Sequence, residues 1–119
     1  MNSQQKTFLC FIYDNENKIK IMVTKNLEKT VVGQVEKEKR LIKIINIIEC
    51  KDNKEARWLR HKLYHFFAKK HIVNKWLDST VFEQVENITK EDIVALDEME
   101  CINNYIEAKL SGVLDEILC

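Results

Sequence analysis

The sequence predicts a small α/β (α+β) domain: a three-stranded, mostly antiparallel sheet flanked by helices and followed by C-terminal helices. Three observations carry this. Residues 7–13 (TFLCFIY) form an aromatic, apolar run, and residues 18–24 (KIKIMVT) alternate polar and apolar, with Asp14-Asn15-Glu16-Asn17 between them. Asp and Asn tolerate turn geometry and bond their own backbone, so residues 7–24 read as a hairpin. An isoleucine-rich run at 41–50 (LIKIINIIEC) reads as a third, central strand. The segments between and after these runs carry apolar residues at helical spacing. With 119 residues, 45% of them apolar, the chain can bury one core and carry an appendage.

The helices follow in order. Asn26 can cap a helix reaching about residue 39, with Leu27, Val31 and Val35 spaced by four and Gly33 weakening it. Asp52 or Asn53 caps the strongest helix, about 54–70. Its inner face is Ala56, Leu59, Leu63 and Phe66, with Phe67 beside it, and its outer face holds Arg57, Lys62, Lys69 and Lys70. Residues 72–77 are short and offer an edge strand or a loop packing Trp76. Ser79 starts a short helix to about 87. Thr89 with Asp92 resembles a capping box and opens a helix from about 90 to 110, with Ile93, Leu96, Ile102, Ile106 and Leu110 near one face. Gly112 ends it before a last turn at 113–118.

Net charge is zero but unevenly spread. Residues 1–77 hold 17 Lys+Arg against 8 Asp+Glu, and residues 78–119 hold 2 against 11. The chain therefore divides into an α/β body, 1–77, and an acidic helical extension, 78–119, that docks or dimerises. Either the acidic end packs on or screens the body, or it tempers a basic surface for DNA or RNA. No run approaches the length of a membrane span, and residues 1–6 lack a signal-peptide core, so an intracellular protein with no membrane partner is expected. Cys10 and Cys50 sit in apolar runs as reduced thiols. Cys119 is exposed, and Glu116 stands where a prenylation signal needs cysteine.

Lys20-Ile21-Met22-Val23-Thr24 resembles a K-I-G-x-T motif except at the glycine, and Lys25-Asn26-Leu27-Glu28-Lys29 resembles a K-N-x-E-(K/R) helix start. Ile48-Glu49-Cys50, Asn53-Lys54-Glu55-Ala56-Arg57, Leu63 through Phe67-Ala68-Lys69-Lys70, and Asn74-Lys75-Trp76-Leu77 follow in matching order. Together they resemble the GIY-YIG nuclease superfamily over about two thirds of the chain, in the branch common in phages and large DNA viruses. Lysine, isoleucine and asparagine usage suits the AT-rich genome of a virus or mobile element.

The resemblance implies phosphodiester hydrolysis with a tyrosine on the first strand, a tyrosine or lysine on the second, an arginine on the first helix and a metal-binding glutamate on the second. Carried over, the first-strand tyrosine falls on Cys10 and the second-strand position on Lys20. The motif glycine falls on Met22, the arginine on Thr30, the metal glutamate on Arg60, and the histidine one turn later on Tyr64. A guanidinium cannot ligate a divalent cation and repels one, so the expectation is a pseudo-nuclease with no cofactor and no metal. A one-residue slip restores Lys29 to the cation role without supplying the carboxylate.

Lys20, Lys25, Lys29, Arg57, Arg60, Lys69, Lys70 and Lys75 would surround the vacated cleft and neutralise phosphates, with Trp58 and Tyr64 available for stacking. His61 and His65, one turn apart with His71 near, could share zinc, although no third ligand is evident beyond Cys50. Met99, Cys101, Ile102, Tyr105, Ile106 and Leu110 form a long apolar surface that either docks as core or makes a dimer interface, for which Met99, Ile102, Tyr105, Ile106 and Leu110 are the candidates. With only Gly33 and Gly112, nucleotide hydrolysis of the P-loop kind is not expected. Two other readings stand beside the pseudo-nuclease: a metal-dependent endonuclease with a rearranged site, and a protein-directed module such as an antagonist of a host factor.

Overall fold

The computed structural model describes residues 6–14, 18–71 and 75–111. The expected turn at 15–17, the first half of the 72–77 segment, the last turn at 113–118 and Cys119 lie outside them. Strands β1 (Thr7–Asp14), β2 (Lys18–Thr24) and β3 (Ile42–Cys50) pair antiparallel with a two-residue β4 (Leu77–Asp78) in the order β3-β1-β2-β4. The α+β class is as expected. The sheet has a fourth strand because Trp76 and Leu77 are drawn into the core, which lays Leu77 and Asp78 against Ile19 and Lys18 of β2.

The central strand is β1, not β3. Both faces of β1 are covered: Leu9 and Phe11 join one apolar cluster, Cys10 and Ile12 the other. That is why its apolar run is unbroken. On β2, Ile19 and Ile21 join the first cluster and Met22 the second, which accounts for the alternation. β3 lies at the edge, and its isoleucines are divided: Ile42 and Ile48 are buried, Ile44 and Ile47 exposed. A bulge opposite Phe11 and Ile12 skips Ile45. Beside it the Asn46 amide donates to the carbonyls of Val85 (3.0 Å) and Ile88 (2.9 Å), and its oxygen accepts the Ile47 N–H at 2.8 Å. Bulge and amide together close the middle of an edge that would otherwise invite another strand.

Helix α1 (Leu27–Glu38) begins where expected, with the Asn26 side chain accepting the Lys29 N–H at 3.0 Å. Leu27, Val31 and Val35 rest half-buried on Cys10, Ile12, Ile42 and Trp76. Gly33 faces open space. The helix ends at Lys39, whose left-handed φ of 59° returns its N–H to the Val35 carbonyl. Arg40 then reaches Asp14 at 3.1 Å, while Asp14 accepts the Lys18 N–H at 2.9 Å. This ion pair ties the hairpin end to the α1–β3 connection.

Helix α2 (Asn53–Phe66) lies on the opposite face and buries Ala56, Leu59 and Leu63. Asp52 caps it by accepting the Glu55 N–H at 2.8 Å. It stops four residues short of expectation: Lys70 N–H bonds the Phe67 carbonyl, tightening Ala68–Lys70 into a 3₁₀ turn. This turns Phe67 inward and leaves Phe66 half-buried. The expected helix at 79–87 is a 3₁₀ turn, Ser79–Val81, and a short α3 (Phe82–Val85). The long helix at 90–110 is broken into α4 (Lys90–Val94), opened by the Thr89–Asp92 capping box, and α5 (Glu98–Leu110), capped by Asp97.

Val81, Val85 and Ile93 are fully buried in the cluster under α2. α5 packs in cis on α2 and the 3₁₀ turn. Cys101 and Ala108 are buried, Tyr105 stacks on His65 at 4.2 Å, and the Asn104 amide donates to the Phe66 carbonyl at 3.0 Å. Lys69 pairs with Glu107 at 3.2 Å. Among the described residues no helix is long and apolar enough to cross a membrane.

Candidate nucleic-acid interface

Of the positions that the resemblance singles out, Cys10, Thr30 and Tyr64 are engaged in the fold itself. Cys10 is fully buried opposite Met22 in the cluster under α1, and burial pushes its thiol up to about 11, so it stays protonated at neutral pH. Thr30 lies 2.6 Å from the Thr24 hydroxyl. Thr24 in turn donates to the Asn26 carbonyl and accepts the Asn26 N–H, so Thr30 locks the turn into α1. The Tyr64 hydroxyl accepts the Ile21 N–H at 3.0 Å and donates to the Lys75 carbonyl at 2.6 Å. It closes the outer edge of β2 just beyond the point where β4 stops pairing. Burial drives its phenol well above the ordinary tyrosine range, outweighing the Ile21 bond and the nearby Arg60 charge.

Arg60 stands half-buried one turn before Tyr64 on the same helix face. Among the described residues no carboxylate pairs with it. The nearest alternative carboxylate on α2, Glu55, is occupied: it accepts the Lys51 N–H at 2.7 Å and pairs with Lys90 at 3.0 Å, bonds that hold its carboxyl below the usual range.

Because α1 and α2 lie on opposite faces of the sheet, the eight expected cations do not converge on one cleft. Lys25 and Lys29 are exposed at the start of α1, Arg57 and Arg60 follow α2, and Lys69 and Lys70 lie near α5. What does converge is a cationic group along β2. The Lys20 ammonium sits 5.3 Å over the Trp76 ring and 3.5 Å from the Gln34 amide oxygen. Burial first, then the charges of Lys37 and Lys75, lower its pKa, with Glu38 opposing. Crowded ammonium groups around one half-buried lysine favour an anion among them. Lys37 and Gln34 were missed in the sequence. Their signal was spacing, since Thr30, Gln34 and Lys37 share one face of α1. Trp76 is buried and cannot stack on a base, whereas Trp58 is half exposed with Lys62 over its ring.

The histidines are drawn into packing. His61 and His65 lie ring to ring at 4.1 Å, and Tyr105 covers His65. Among the described residues no three His, Cys, Asp or Glu side chains are placed to hold a metal ion. Cys10, Cys50 and Cys101 are free, buried thiols. His71 is only 8% exposed, and neither ring nitrogen finds a hydrogen-bond partner among the described residues. Burial, aided by Lys75, lowers its pKa from 6.5 to about 4. The unfolded chain therefore binds the proton more tightly. The contribution of His71 to stability is complete above pH 6.5 and is lost, on the order of 2–3 kcal/mol, as pH falls towards 4. Urea titrations across that range should show this loss in the native chain and most of it removed in His71→Leu.

Comparison with protein-family models, curated proteins and solved structures finds no match to this chain.

Proposed function

We propose that this chain is a non-catalytic GIY-YIG-like domain that binds the phosphates of DNA or RNA through the cationic edge of β2. The observation that carries the reading is the double engagement of the Tyr64 hydroxyl beside Arg60. Hydrolysis needs a group to activate water and a carboxylate to anchor a cation. Here the phenol is spent on the backbone, and a guanidinium stands where the resemblance requires the carboxylate. The runner-up, a rearranged metal-dependent endonuclease, would have to free Glu55 from Lys51 and Lys90.

Binding is supported by the lysines about Lys20, where Lys37 and Lys75 add positive charge against the opposing carboxylate of Glu38. Such contacts read the backbone and not the bases, so affinity depends steeply on salt and weakly on sequence. Mobility shifts with single- and double-stranded probes at two salt concentrations test this. A shift at low salt that fades at high salt supports the reading. Absence of a shift at low salt favours a protein target instead.

A further inference from the structure

Helix α5 is apolar on two separate sides. One side, Cys101, Tyr105 and Ala108, is covered by α2 and the 3₁₀ turn. The other carries Met99, Ile102, Ile106 and Leu110, which are 70%, 46%, 47% and 84% exposed. Spacings of three, four and four keep these on one stripe, turned well away from the docked side. The sequence repeats that spacing through Val113 and Ile117, beyond the described residues.

We infer that the stripe binds the same stripe of a second copy, with the two α5 helices antiparallel about a two-fold axis. The charges select this arrangement. Asp97, Glu98 and Glu100 crowd the first turn, and Lys109 stands in the last. A parallel pair would stack acid on acid. An antiparallel pair that sets Ile102 against the partner's Ile106, and Met99 against the partner's Leu110, also brings Glu98 beside the partner's Lys109. Glu98 and Lys109 flank the stripe on the same side, and antiparallel helices pair like flanks. Neither residue has an ion-pair partner among the described residues.

On that same flank lies a groove of about 220 Å³ between α2 and α5, where Trp58, Cys101 and Ile102 adjoin the stripe and Lys62, Glu98, His61 and His65 supply polar groups. Four side chains and a groove remain short of the roughly 800 Å² per partner typical of stable complexes, so the dimer is a concentration-dependent one. This inference stands whether or not the chain binds nucleic acid.

Sedimentation velocity of the full chain from micromolar concentrations upward tests it. The mass should rise from 14.1 kDa towards twice that. Ile102→Asp, at an exposed position, should hold the chain monomeric with unchanged unfolding. Glu98→Lys and Lys109→Glu should each weaken association about tenfold, since each change acts twice across the axis. The double exchange should restore it. A chain that stays monomeric throughout, with its stripe covered by residues 112–119 or kept for another protein, overturns the inference. So does a dimer indifferent to Ile102→Asp, or an exchange that fails to rescue.

Discussion

Tyr64→Phe is expected to destabilise the fold by about 2–4 kcal/mol, read as a lowered urea midpoint with an unchanged slope. Phenylalanine keeps the ring and its contact with His71 but removes the hydroxyl. The Ile21 N–H and the Lys75 carbonyl then lose their partner together, at the point where β2 has no neighbouring strand. Each stranded group costs about 1–3 kcal/mol. The size of this loss separates two roles for the position. A phenol held ready for chemistry would give little stability when deleted. A phenol that closes the sheet edge gives most of it. No loss would mean the hydroxyl is free, and Tyr64 would not be committed to the sheet edge.

The second large effect concerns binding. Lys20, Lys37 and Lys75 changed together to Gln should lower nucleic-acid affinity by roughly 100-fold or more at 0.1 M salt. The slope of log affinity against log salt should flatten by about 2–3, because each phosphate contact releases close to one counterion. Stability should hold or rise in the same variant, since these ammonium groups repel one another in the free protein. Lys51 and Lys54, at the α2 N-terminal end, provide the control. Changing them to Gln removes as much charge per residue and should leave the slope nearly unchanged. Equal losses in both variants would assign binding to net charge alone.

Local signals in the sequence were read correctly where the structure is local. The Asn26 cap, the Asp52 cap, the Thr89–Asp92 box and the alternation of β2 depend on residues within a few positions of one another. The place of β3 was not legible. Its isoleucines suggested a central strand, but the bulge at Ile45 and the reach of Asn46 to Val85 and Ile88 span about forty residues of sequence. The break between α4 and α5 was hidden because apolar spacing continues across it while Asp97 restarts the helix. At the candidate site, the sequence singled out Cys10, Met22, Thr30, Arg60 and Tyr64 only through a resemblance. The work these side chains do could not be read, because Tyr64 meets Ile21 and Lys75 only once α2 is laid against the sheet edge. The same holds for the split of the cations, which follows from α1 and α2 lying on opposite faces.

The most direct measurement incubates the purified chain with supercoiled plasmid in Mg²⁺ or Mn²⁺ and follows binding and nicking in one series. Salt-sensitive retardation of the plasmid with no nicked product is the predicted result. Nicked circles that form with metal and disappear in Arg60→Ala or Lys20→Ala would contradict it.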